Sequence, residues 1–201
     1  MKILAVIAVF VLGVWLWTGH TNAQNEHRLG AVASELAGRH VGVRCQGFWA
    51  GMLDIQNRSG EVDFPQGRAP DHMFLTRDVC KRLRRFMGSH GHGKLLSRDD
   101  AEAVNTLAHE SMHLRGFVNE AQAQCYAIQL DAWTVVRLGG TEEQGDAAAS
   151  LVLALQPDLP DEYQSSECRA GGSLDLFPGT SAFPSESPPV LPGASVRGPA
   201  A

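Results

Sequence analysis

The sequence lacks any run or face of basic residues able to hold a polyanion: 17 Lys plus Arg stand against 22 Asp plus Glu, a net charge of -5. That balance argues against nucleic acid or anionic lipid as a partner. The one dense cluster, Lys81-Arg82-Leu83-Arg84-Arg85, reads as the solvated face of a helix. No CxxC pair occurs among Cys45, Cys80, Cys125 and Cys168, so a thiolate zinc site has no support in the spacing. There is no internal repeat, and 201 residues leave room for one domain with a modest core but not for a second of ordinary size. Long apolar runs are scarce too. The run from Ile3 to Trp17 is shorter than the roughly 20 residues that span hydrocarbon comfortably.

That run follows Lys2 and gives way to polar residues ending in Thr21-Asn22-Ala23, the layout of a secretory signal. We expect a signal peptide over residues 1–23, with cleavage after Ala23. The alternative is a membrane tether through residues 3–17. Either arrangement puts the domain outside the cytoplasm, secreted or extracytoplasmic. There an even number of cysteines fits two disulfides. Of the three possible connectivities we expect Cys45–Cys80 and Cys125–Cys168, each worth about 3 to 4 kcal/mol in the chain-entropy description.

Periodicity divides the rest of the chain. Leu29, Val32, Leu36 and Ala37 fall at helical spacing and predict a first helix over Glu26 to Arg39. From Val41 to Thr76, short β-like pieces (Val41 to Cys45, Gly60 to Phe64, His72 to Thr76) are separated by Gly, Pro, Asn and Ser, which predicts a small sheet. Asp78 to Phe86 reads as a short helix, stopped by the glycine-rich loop that carries His90 and His92. Ser97 with Asp100 opens a capped helix that runs to Arg115, and Gly116 sits where a left-handed C-terminal residue belongs. Asn119 caps a second helix that ends at Gly139-Gly140, and Thr141 with Glu142 starts another that ends before Pro157. These elements predict an α+β domain over residues 24–175, mostly helical with a short N-terminal sheet. Its centre is one helix, a glycine turn and a second helix. Residues 176–201 are rich in Pro, Ser, Gly and Ala without apolar periodicity, and predict a disordered tail.

The chemistry lies in His109-Glu110-Ser111-Met112-His113, inside the capped helix. Histidines at i and i+4 stand one turn apart on the same face, so both imidazoles can reach one Zn²⁺ at about 2.0–2.1 Å. Glu110 is rotated off that line and can serve a bound water as general base instead of ligating the ion. Thr106 shares the histidine side, while Val104, Leu107, Ala108 and Leu114 lie opposite. A catalytic zinc takes three protein ligands and leaves a fourth position for water. Gly116 can turn the chain sharply, which brings Glu120, in the first turn of the next helix, back toward the histidines. Glu120 is the favoured third ligand, with Asn119, Asp131, Glu142, His90 and His92 as rivals. His90-Gly91-His92 is also a candidate second metal site, and Trp49 and Trp133 read as core or interface residues.

His109-Glu-Ser-Met-His113 resembles the zinc-binding helix of the zincin metallopeptidases. With Glu120 as third ligand it is similar to the gluzincin branch, and the continuation Leu114-Arg-Gly116 resembles the glycine pattern of the metzincins. Asn119 occupies the place of the metzincin third histidine, and the six residues between His113 and Glu120 are fewer than in thermolysin-like enzymes. The likeness spans about residues 97 to 138. It implies a zincin-like fold, one zinc ion per chain, a peptide or protein substrate, and peptide-bond hydrolysis with Glu110 as general base. His90, His92, Arg115, Tyr126 and Tyr163 are candidates for the oxyanion partner. The alternatives to an exported peptidase are a non-catalytic zinc-containing module and a disulfide-stabilised extracellular binding module.

Overall fold

The computed structural model describes residues 2–46, 60–61, 69–88, 96–179 and 183. Helix α1 runs Lys2–Ala37, α2 Arg77–Gly88, α3 Arg98–Arg115, α4 Glu120–Arg137 and α5 Glu142–Leu155, with strands β1 Gly42–Cys45, β2 Gly60–Glu61 and β3 His72–Leu75. The chain is mostly helical with a short sheet, an α+β arrangement. Among the described residues, no helix is long and apolar enough to cross a membrane.

Helix α1 is longer than the expected first helix, since its backbone is helical from Lys2 and the expected cleavage point after Ala23 falls within it. Its packed part is the expected one. Leu29, Val32, Ala33, Leu36 and Ala37 recur along one face and are buried. Gly38 ends the helix at φ 70°, and the chain turns back into the sheet.

Strand β3 is central, in the order β1-β3-β2, parallel to β1 with Gly42 opposite His72 and antiparallel to β2. Alternation follows the pleat: Met73 and Leu75 are buried, while His72 and Phe74 face outward and meet edge to face at 5.1 Å. Helix α2 buries Val79, Cys80, Leu83 and Met87. It keeps Lys81, Arg84 and Arg85 in solvent while Arg82 pairs with Asp99, so the basic cluster is a solvated face.

Helix α3 is the hub, packing against α1, α2, α4, α5, β2 and β3. Two arginines join it to α1 in opposite directions. Arg39, just past α1, donates to the Leu114 carbonyl at 3.0 Å and to Asp71 at 2.9 Å, while Arg115 donates to the Leu36 carbonyl at 3.1 Å. Each guanidinium thus meets a carbonyl that a helix C-terminus leaves without an internal partner.

Cys45 is bonded to Cys80, tying β1 to α2, and Cys125 is bonded to Cys168, tying the C-terminal segment to α4. These two disulfides fit an extracellular or other oxidising environment. Gln129 holds the same segment, donating to the Leu174 carbonyl at 2.9 Å and accepting from the Leu176 N–H at 2.8 Å. Leu176 and Phe177, just past the boundary expected at 175, pack on the core. Apolar periodicity does not register a segment held in this way, through its backbone by a glutamine side chain. The rest of the expected tail, apart from residues 178, 179 and 183, lies outside the described residues, as do Trp49, His90 and His92.

Helices α4 and α5 approach closely at Gly145, where an added Cβ would lie 2.7 Å from the Ala132 carbonyl oxygen and 2.9 Å from its Cα. Both are backbone atoms of the neighbouring helix, so the clash is relieved only by moving a helix. Gly145→Ala is therefore expected to lower unfolding free energy by about 1 to 3 kcal/mol, measured by chemical denaturation. An unchanged midpoint would show that the two helices are not in this contact.

Candidate metal centre

The site is assembled by a helix, a turn and a second helix, each defined by local sequence. Ser97 caps α3 by accepting from the Asp100 N–H at 3.2 Å. At the other end Gly116 adopts φ 109°, and its N–H bonds the His113 carbonyl at 2.9 Å while the Phe117 N–H bonds that of Met112 at 3.1 Å. This pair of bonds is the Schellman closure, which needs a left-handed residue at Gly116. The closure turns the chain back so that Asn119 can cap α4, accepting from the Gln122 N–H at 2.9 Å. Glu120 then stands in the first turn of α4, facing α3.

The consequence is a triangle of three ligand atoms. His109 Nε2 and His113 Nε2 lie 3.0 Å apart, and Glu120 Oε2 lies 3.0 Å from the first and 3.2 Å from the second. His109 and His113 are buried, and Glu120 is half-buried. These three residues form a cluster able to hold a metal ion. A tetrahedral ion with bonds of about 2.0–2.1 Å has ligand edges of about 3.3 Å. The triangle is slightly tighter than that, so small outward movements would seat such an ion.

The outer ring nitrogens decide what the inner ones present. His113 Nδ1 lies 2.7 Å from the Phe117 carbonyl, a pure acceptor, so Nδ1 carries a proton. His109 Nδ1 lies 3.1 Å from Gln124 Oε1. With both outer nitrogens protonated, neutral rings turn lone pairs inward toward each other and toward a carboxylate. Two lone pairs and an anion in contact repel, and a cation among them removes the conflict. In the metal-free protein a proton does so in part. Burial opposes charge on His113, but its contacts with Glu120 and the Phe117 carbonyl outweigh burial and raise its pKa. The contacts with His109 and then His113 hold the Glu120 carboxyl well below the usual carboxylate range, against its partial burial.

Neither protein-family models, nor curated proteins, nor solved structures match this chain. What the site can do follows from its geometry.

The other expected candidates separate by position. Asn119 is engaged as the α4 cap, and Glu142 lies exposed in the first turn of α5. Asp131 is fully buried but meets Asn105, at 3.1 Å, away from the triangle. Tyr126 packs edge to face on Phe117 and accepts from Gln122, and Arg115 is bound to Leu36. Trp133 is half-buried beneath the Arg137 guanidinium. Tyr163 is different. It follows α5 in a short 3₁₀ turn, Asp161–Tyr163, and its ring lies 5.6 Å from that of His109.

His109, Glu110 and Tyr163 line an open cleft of about 480 Å³. One wall is apolar, from Val152, Leu155, Leu159 and Pro160, and the opposite wall carries Thr106, Asn105 and the Arg98–Glu102 pair. Glu110 is thus next to His109 on the lining of that cleft. The cleft and the polar partners Asn105 and Gln124 were not anticipated. Their signal was present, since Asn105 precedes His109 by four residues and Gln124 follows Glu120 by four, which puts each pair on one helix face.

Asp131 also makes a pH dependence. Burial raises its pKa well above the ordinary value, against the opposing hydrogen bond from Asn105. The folded state therefore keeps this proton after the unfolded chain has released it near pH 3.9. Between the two pKa values the native state binds more protons, so stability falls as pH rises, by at most about 1.4 kcal/mol per pH unit. Asp131→Asn removes the titration. The stability of the variant relative to the parent is expected to increase with pH from about 4 upward, read from denaturation at a series of pH values. A constant difference would show that Asp131 is ionised in the fold.

Proposed function

We propose that this chain is an exported zinc-dependent peptidase with a zincin-like active site. His109, His113 and Glu120 would hold one Zn²⁺, and Glu110 would be the general base. The observation that carries this is the closed triangle of ligand atoms, one of whose members, His109, lines the same cleft as Glu110. Two imidazoles and a carboxylate are a donor set suited to zinc with an open fourth position. The helix, glycine turn and second helix that deliver the carboxylate support the zincin-like reading of the α+β fold.

When bound, zinc supplies Lewis acidity, lowering the pKa of a water toward 7 and polarising a carbonyl. The protein's own groups do the rest. His109 and His113 are fixed by partners on their outer nitrogens, so their inner nitrogens need no reorientation on loading. Glu110 is buried and lines the cleft, where its carboxylate would take the proton of the attacking water before passing it to the departing amine. Tyr163 brings a phenol to the same cleft as Glu110, its ring 5.6 Å from that of His109, and would donate to the developing oxyanion. The apolar wall of Val152, Leu155, Leu159 and Pro160 suits a peptide with an apolar side chain near the scissile bond.

Elemental analysis of the purified chain is expected to return about one zinc per molecule, and His113→Ala and Glu120→Ala should both lose it. Glu110→Gln should keep the metal while cleavage of a peptide library falls by about 10² to 10⁴-fold, the range general base catalysis contributes. If Glu110→Gln cleaves as fast as the parent, the mechanism is wrong. A zinc-loaded parent that leaves the library intact would point to a non-catalytic zinc-holding module. Tyr163→Phe is expected to lower kcat by about 10² to 10³-fold with KM little changed, and an unaltered kcat would remove Tyr163 from the chemistry.

A further inference from the structure

The triangle is one end of a longer polar row along the interface between α3 and α4. Reading α3 backward gives His113, His109 and Asn105, and reading α4 forward gives Glu120, Gln124 and Asp131. Beyond the metal ligands, His109 Nδ1 meets Gln124 Oε1 at 3.1 Å, Gln124 Nε2 donates to Asn105 Oδ1 at 3.0 Å, and Asn105 Nδ2 donates to Asp131 Oδ2 at 3.1 Å. Gln124 and Asp131 are 4% and 0% exposed and Asn105 is 8% exposed, so the row is nearly buried, with Asn105 and Gln124 reaching the edge of the cleft and Asp131 shut off from water. Polar groups in such surroundings are costly to bury, and a row of them between two otherwise apolar helix faces calls for a role. Asp131 Oδ1 has no hydrogen-bond partner among the described residues, so the row ends there.

An amide has one donating and one accepting end, so each link sets the sense of the next. If Asp131 accepts, Asn105 must turn its Nδ2 toward it and its Oδ1 toward Gln124. Gln124 must then donate from Nε2 and present Oε1 to His109. An acceptor at Oε1 requires the proton of His109 on Nδ1, which leaves Nε2 bare and aimed at the triangle. Without an acceptor at position 131 the two amides are free to flip together. Gln124 would then offer Nε2–H to His109, moving the ring proton to Nε2, the tautomer that cannot ligate a metal.

We infer that Gln124, Asn105 and Asp131 are positioning residues, a buried relay in which the acceptor oxygen of Asp131 sets the amide orientations and so holds His109 in its metal-binding tautomer. This rests on the metal-site reading above. Burial favours the neutral form of Asp131, and a neutral carboxyl still accepts through its oxygens, so the relay needs an acceptor and not a charge.

The test uses the full chain, stripped of metal and titrated with Zn²⁺ against a competing chelator, for the parent, Gln124→Leu, Asp131→Leu, Asp131→Asn and the double variant Gln124→Leu/Asp131→Leu. Leu removes the acceptor at similar volume, whereas Asn restores it without the charge. Gln124→Leu and Asp131→Leu are expected to weaken zinc binding by about 10- to 100-fold, the range for loss of an outer-shell partner. Asp131→Asn should bind within about threefold of the parent and the double variant no worse than Gln124→Leu alone, since both changes act through the same ring. The ring ¹⁵N resonances of His109 in the zinc-loaded parent should report a protonated Nδ1.

Several outcomes overturn the relay. Asp131→Leu that binds zinc as tightly as the parent would do so, as would Asp131→Asn as weak as Asp131→Leu, or losses that multiply in the double variant. If Asp131→Leu does not fold, the comparison of Asp131→Asn with Gln124→Leu still decides: affinity kept in the first and lost in the second supports the relay, and any other pattern overturns it. A parent that binds no zinc removes the metal site and the relay together, which distinguishes that failure from one in the relay alone.

Discussion

Two imidazole lone pairs and a carboxylate oxygen cannot share a space about 3 Å across unless something positive lies among them. The α3–α4 interface brings these three atoms together, and much of the surrounding structure serves to keep them there. His113 is fixed by the Phe117 carbonyl, which the turn at Gly116 delivers, and His109 by Gln124, which lies one turn past Glu120. The same turn that ends one helix thus supplies a partner to His113 and returns the chain that carries Glu120. A residue other than glycine at a φ of 109° would be strained, and the strain would fall on both functions of the turn.

Around that interface the scaffold is held by a few long-range ties. Exchanged arginines link the C-terminal ends of α1 and α3, so the helix that carries both histidines is fixed to α1 at the end where His113 and Gly116 lie. The disulfides act on the periphery, joining β1 to α2 and the C-terminal segment to α4. In the unfolded chain they restrict the ensemble, which suits a small core. The close contact of α4 with α5 at Gly145 sets the position of α5, and the end of α5 with the turn that follows forms the apolar side of the cleft. Site and cleft therefore share α4 as a common wall.

Much of this was legible from local pattern. The helix caps at Ser97, Asn119 and Thr141 and the left-handed Gly116 were readable because each is decided within about four residues by a side chain or a missing one. The histidine pair was readable because the helical period alone puts positions 109 and 113 on one face. Glu120 was readable only as the favoured member of a set, since the turn permits several residues to return. The amide row was harder to see. Asn105 and Gln124 belong to types common on any helix surface, and spacing does not say whether such a face meets water or another helix. Phe117 contributes only a backbone carbonyl, which no side-chain pattern reports.

Local pattern was enough for the caps of α3, α4 and α5 and for the two imidazoles along one face, because hydrogen bonds within a few residues are insensitive to distant parts of the chain. Which carboxylate reaches them, that Asp131 lies at the far end of a buried row instead of beside the histidines, and that Tyr163 flanks the cleft were settled by the packing of the folded chain. Those outcomes depend on how helices far apart in the chain pack together. Packing is set by the summed shape of many side chains, including the absent one at Gly145, and not by any short pattern.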